Sequence, residues 1–185
     1  MNIPHGVTNE TVEKLEFEAG LILTERFAGG ALDKSKVLCA TDGGIRVNIA
    51  AVTRNITFDG VRENTAGLKY VQGYTGSVQF STKEVDAENV KMAIGYADIS
   101  GSNVVLKQGL IPNTTAYYTS ELCILGKMGD GSWRQIVLSN AINVNGLQET
   151  RNANGEVTIA FDLQANYSIE DQDTPPISIE YITAG

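Results

Sequence analysis

The chain predicts a mainly β fold with one α-helix at about residues 86–94. Three observations carry this. Val157, Ile159, Phe161, Leu163, Ala165, Tyr167 and Ile169 alternate with polar or small residues, the period of a long strand with one dry face. Two further strand-like runs flank a polar loop at 59–69. Only one segment, after Asp86, switches clearly to helical spacing.

Near the start, Leu15, Phe17 and Ala19 alternate with Glu16 and Glu18, although Val12, Leu15 and Ala19 also fit a helix. Extended structure running on through Gly20 to Thr24 is the preferred reading. Val47, Ile49 and Ala51 then alternate with Arg46, Asn48 and Ala50 ahead of Ile56 and Phe58, and Val78 and Phe80 alternate with Gln79 and Ser81. Both runs read as half-buried strands. The 59–69 loop between them holds Gly60, Asn64 and Gly67 and is long for a hairpin turn, and loops of that length are usually functional or mobile. Asp86 is a good N-cap, Val90, Ala93 and Ile94 share a helical face, and Gly95 supplies the stop.

In the second half, a strand at 117–128 precedes the turn GDGS at 129–132. Ile136, Leu138, Ile142 and Val144 form the returning strand, with its alternation interrupted at Asn140. With the 157–169 run these make an antiparallel hairpin plus a neighbour, connected through the Asn145–Gly146 and Asn154–Gly155 pairs. Ile177, Ile179 and Tyr181 follow Pro175 and Pro176, as expected of an edge strand that needs no ladder donor at its start.

With 185 residues, 42% of them apolar, one core and one domain at 1–185 are expected. No run approaches the roughly 20 apolar residues that cross a bilayer. The opening MNIPHGVTNE lacks the basic then apolar profile of a secretory signal, so a soluble protein is expected. Cys39 and Cys123 lack metal or redox spacing and read as reduced core thiols. The net charge of −8 is concentrated at the ends. Glu10, Glu13, Glu16 and Glu18 stand against Lys14 alone, and seven acidic residues between Glu149 and Glu180 stand against Arg151 alone. No basic stripe exists to grip phosphate, which argues against specific nucleic-acid binding.

A search for chemistry returns little. The single histidine is His5, which leaves a histidine-based triad or metal site without material. Asp171 and Asp173 resemble a DxD pair, but acidic residues beside prolines are usually solvated. Gly29–Gly30 and Gly43–Gly44 lack the surrounding phosphate-loop pattern and read as turns. Trp133 reads as a core or rim aromatic. No catalytic, cofactor-binding or metal residue is assigned, no cofactor is expected, and the chain reads as a non-enzyme.

The segment 21–95 resembles the amino-terminal half of the major tail proteins, or tail tube proteins, of long-tailed bacteriophages. The matching features are an early AGLIL, a TDGG entering a strand, an FDG ending it, a GLK after the loop, a strand closing on an acidic residue and a helix ending in IG. Residues 100–185 add compatible strand content. The resemblance implies a tail-tube-like domain, a β-sandwich or partly closed barrel with the helix on its flank, that forms hexameric rings stacked into a hollow tube conducting DNA without binding it specifically. It implies a virion tail location, with assembly in the host cytoplasm, and partners in the chain itself, a tape measure protein, a tail terminator and a distal tail protein. On this reading the 59–69 loop, with Asp59, Arg62, Glu63 and Lys69, contacts a neighbouring subunit or ring. The N-terminal arm at about 1–18 and the C-terminal segment at about 171–185 serve assembly too. Two alternatives fit the same residues: another β-rich virion component such as a tail terminator or capsid decoration protein, and a carbohydrate-binding β-sandwich using Trp133, Tyr117 and Tyr118.

Overall fold

Ten strands form among the residues that the computed structural model describes, which are residue 11 and residues 13–183. In order they are β1 (Glu16–Leu23), β2 (Thr41–Asn55), β3 (Lys69–Thr82), β4 (Ala97–Ser100), β5 (Asn103–Leu106), β6 (Thr119–Met128), β7 (Trp133–Asn143), β8 (Gln148–Arg151), β9 (Val157–Gln164) and β10 (Ile177–Ile182). The predicted helix, α1 (Ala87–Ile94), lies between β3 and β4. His5 and the rest of residues 1–10 lie outside the described residues, as do residues 12, 184 and 185. Thr11 and Glu13 are helical, but the chain is extended from Glu16 and Ala19 lies in β1, so the extended reading holds from there and the helical spacing does not; Val12 lies outside the described residues.

Every pairing is antiparallel. One sheet runs β1-β6-β7-β10 and the other β2-β3-β9-β8, and they join where the end of β7 pairs with β9, Ile142 opposite Gln164 and Asn143 opposite Leu163. The passage of β7 from one sheet to the other happens at Asn140, the residue that interrupts the apolar alternation. Its φ is 48°, left-handed backbone that asparagine tolerates better than most side chains. Its amide donates to the Asn166 carbonyl at 3.3 Å, and the Asn166 amide donates back to the Asn140 carbonyl at 2.9 Å.

The same crossing ends β9 early. The sequence pattern extends this strand to Ile169, yet the ladder stops at Gln164. Ala165 N–H donates to the Gly76 carbonyl and Asn166 N–H to the Ser139 carbonyl, so the chain leaves strand geometry to bridge the sheets. Tyr167 is only half-buried and Ile169 is 77% exposed, which corrects the expectation of one dry face along the whole run.

The two sheets face each other across the main core. Ile22, Leu122, Ile124, Ile136 and Leu138 meet Val78, Phe80, Ile159, Phe161 and Leu163, and the Phe80 and Phe161 rings stack at 4.8 Å from directly paired positions. The other face of the first sheet is also buried. Leu23, Cys123, Leu125 and Val137 lie under Phe27, Leu32 and Val37 from the segment after β1. That explains why β6 reads Leu-Cys-Ile-Leu without alternation, as strands covered on both sides do. Trp133 contacts Phe27 edge-on at 5.5 Å and lies beneath Lys127, a rim position in this second cluster.

Helix α1 starts where Asp86 accepts from the Asn89 N–H at 2.8 Å and ends at Gly95, whose φ is 85°. A Cβ at Gly95 would lie 2.6 Å from the Asn143 carbonyl oxygen, so close approach as well as conformation requires glycine there. Ala93 is fully buried with Val90 and Met92 packed beside it. Gly43 and Gly44, read as turn residues, instead form a left-handed irregularity inside β2, where the register shifts between Asp42 and Arg46.

Cys39 and Cys123 are free and buried. Burial pushes the Cys123 thiol up to about 11 and raises that of Cys39 as well. The thiolate is the reactive form, so both should resist a maleimide reagent at pH 8 and react once the chain is unfolded. Stoichiometric labelling of the native chain would contradict this placement.

Candidate assembly surface

Strands of 15 and 14 residues are longer than the body can cover, and this length creates the site. β2 and β3 pair from Thr41–Thr82 out to Asn55–Lys69, but β9 backs β3 only over Ser77–Thr82. Beyond Gly76 the pair continues as a two-stranded ribbon. By register, the core-facing stripe of Val47 and Val78 runs on to Ile49 and Tyr74, and the opposite face carries Val52 and Tyr70. These four are 37–54% exposed, and at the ribbon's end Ile56, Phe58 and Val61 are exposed too, Phe58 at 59%. The first run is expected to be half-buried but from Ile49 outward is exposed on both faces, because no third strand pairs with it there; the second, Val78–Ser81, is half-buried as expected. Apolar side chains clustered on an otherwise polar surface mark interaction sites, and a lone two-stranded ribbon is marginal in water.

Asp59, Arg62, Glu63 and Lys69 sit together at the free end of this ribbon. The first three are in the connecting loop, while Lys69 is the first residue of β3, opposite Asn55. The loop is a series of turns. Val61 N–H donates to the Phe58 carbonyl, Leu68 N–H to the Thr65 carbonyl, and the Thr65 hydroxyl to the Arg62 carbonyl at 2.7 Å. Gly60, Asn64 and Gly67 supply its positive φ values. All four charged side chains are exposed, and none joins an ion pair among the described residues. Sequence reasoning found the charged residues of the end and missed the apolar ones along the ribbon. The missed signal was the strand length.

Both sheets also end in edge strands, β1 and β10 in one and β2 and β8 in the other, with the end of β1 covered by Val37 opposite Leu23. β10 presents Ile179 at 50% and Tyr181 at 68% exposure. Besides its ladder with β7 it is tied to the body through Glu180, which accepts from Gln135 at 2.7 Å and Arg26 at 2.5 Å, as well as from Ser178 of the same strand at 2.8 Å. The buried Gln135 in turn accepts from Phe27 N–H and the Cys123 thiol. At the opposite edge, Glu16 of β1 pairs with Arg134 at 2.5 Å.

The hydrogen bond from Ser178, with that from Gln135 and the charge of Arg26, holds the Glu180 carboxyl below its ordinary value of 4.5. A carboxyl depressed in the folded state stabilises the fold fully above that ordinary value and loses the contribution as pH falls through the folded one. Between pH 4.5 and 3 the unaltered chain should therefore lose more thermal stability than Glu180→Gln. Parallel melting curves over that range would remove Glu180 from the acid response.

The remaining candidates are structural in their contacts. Asp171 accepts from the N–H groups of Asp173 and Thr174 at 3.1 Å, which folds the approach to β10 into a turn. Tyr117 packs edge-on against Tyr96 and donates to Asp98, remote in its contacts from the Trp133–Phe27 pair. An open groove of about 490 Å³ is lined by Asp42, Gln79, Gln148 and Asp162 together with Phe80 and Phe161, and Asp162 accepts there from Gln79 and Asn145. Among the described residues no three His, Cys, Asp or Glu side chains are grouped to hold a metal ion.

No family model and no curated protein matches the chain. Among solved structures it is similar to a chain in the virion of a native gene transfer agent particle, with 14% identity over 88% of this chain and 95% of the other at a TM-score of 0.45. It is also similar to a chain in the tail of an empty gene transfer agent particle refined with C6 helical symmetry, with 14% identity over 90% and 96% at a TM-score of 0.40.

Proposed function

We propose that this chain is a non-enzymatic structural protein of a phage virion, forming hexameric rings that stack into the tail tube. The observation that carries the proposal is the β2–β3 ribbon, apolar on both faces and uncovered beyond Gly76. A second copy of the chain is the natural partner for it. The edge strands of the same fold give copies a way to join strand to strand, which removes unpaired backbone when a ring closes. The segment resemblance of residues 21–95 supplies the hexamer, the tube and the partners: tape measure, tail terminator and distal tail proteins. The net charge of −8 suits an acidic lumen that repels phosphate and lets DNA pass. Acidic residues mapped to the outer wall, around a neutral or basic lumen, would sink that part of the proposal.

On this reading Arg62 and Glu63 contact a neighbouring subunit or ring. Replacing both with alanine should hinder tube formation and leave the monomer's melting curve in place, since isolated surface substitutions change stability by only about ±0.5 kcal/mol. Negative-stain microscopy of the purified protein tests both claims. Long stacked-ring filaments from the unaltered chain support the tube, and equally abundant filaments from the double variant rule out the contact.

A further inference from the structure

We infer that Tyr167 is a positioning residue that fixes the direction in which the β2–β3 ribbon leaves the body. The inference rests on the assembly reading above and names the device that aims its contact surface. At Gly76 the sheet support for β3 ends, with Ala165 N–H on the Gly76 carbonyl as the last main-chain link. Three residues further out the ribbon is irregular. Thr53 pairs with Val71 and Val52 with Gly73, so Gln72 is an extra residue at a β-bulge, a place where a strand bends and twists. At this bend the Tyr167 hydroxyl accepts from Tyr74 N–H at 2.8 Å. It is the one hydrogen bond among the described residues that ties the ribbon beyond Gly76 to the rest of the fold.

Gly73 makes room for it. A Cβ at this glycine would lie 2.5 Å from the Tyr167 hydroxyl oxygen and 3.3 Å from the ring carbon that bears it. The backbone of Gly73 is not left-handed, so its own conformation does not demand glycine. What excludes a side chain is Tyr167. The tyrosine therefore replaces a missing neighbouring strand at one donor, and the glycine lets it come close enough to do so. A ribbon pinned at its bend presents its apolar faces in one orientation, which rings of identical copies require; an unpinned ribbon would present them in that orientation only part of the time, and apparent affinity falls in proportion.

The test uses the full chain with Tyr167→Phe, which keeps the ring and removes the acceptor. Hydrogen exchange should show the Tyr74 amide opening roughly two- to tenfold faster, the range for loss of one hydrogen bond. Spin labels at Glu63 and Asn154 should report a broader distance distribution between ribbon end and body. The concentration needed for tubes should rise, while the melting temperature of the body stays in place. Gly73→Ala should loosen the ribbon in the same way, and the effect should vanish in a Tyr167→Ala background, where nothing remains for the methyl group to displace. Unchanged Tyr74 exchange and an unchanged distance distribution in Tyr167→Phe overturn the positioning role, however well the chain assembles. A loosened ribbon in a chain that never assembles, even unaltered, supports the positioning role and overturns the assembly reading instead.

Discussion

A chain carrying Ile49→Glu and Val52→Glu should stay a folded monomer at concentrations where the unaltered chain forms tubes. The two substitutions put one carboxylate on each face of the projecting ribbon. In the free chain both positions are more than one-third exposed, so the new charges remain hydrated and the melting temperature should hardly move. In an assembly that covers the ribbon each charge loses water without gaining a partner, at a cost of several kcal/mol. Since about 1.4 kcal/mol is a factor of ten in affinity, two such costs should raise the concentration required for assembly by more than about a thousandfold. Sedimentation velocity separates the outcomes. If the double variant sediments as large assemblies at the unaltered chain's threshold, the ribbon faces are not the contact.

The second large effect concerns the monomer. Phe161→Ala should lower stability by about 3–5 kcal/mol, because the ring is almost wholly buried and stacks on Phe80 across the β3–β9 pair at the centre of the core. For a chain of this size that corresponds to a fall of roughly 6–20 °C in melting temperature. Phe161→Leu should cost much less, since it returns most of the apolar volume. Calorimetry in a buffer that prevents assembly would measure both. A change below about 1 kcal/mol for the alanine variant would mean that the two sheets do not close on this residue.

The body of the fold was legible because local signals agreed with burial. Asp86 and Gly95 bounded the helix, the prolines before Ile177 marked an edge strand, and the break at Asn140 marked the residue where β7 changes sheets. What could not be read came from partners distant in sequence. Ile49 and Val52 look like half-buried strand residues, and only the end of β9 pairing at Ser77 shows that nothing covers them. Ile169 continues an apolar pattern that the Asn140–Asn166 crossing cuts short. β8 and the small β4–β5 hairpin escaped notice because each strand has four residues, too few for a period to register. At the candidate site the charged loop was visible as an oddly long connection. The tyrosine that aims the ribbon was hidden, because the sequence alternation places Tyr167 on the dry face of a strand.

Because β7 belongs to both sheets, the two layers cannot be lost one at a time. Its first half needs β6 and β10, its last residues need β9, and the bend at Asn140 has its form only when both sets of neighbours are in place. Folding should then be all-or-none for the body, and slow, since β1 with β6 and β3 with β9 must find each other across about half the chain. A newly made chain would hold no half-built layer for neighbours to capture, and its copies would meet only after the shared strand had closed.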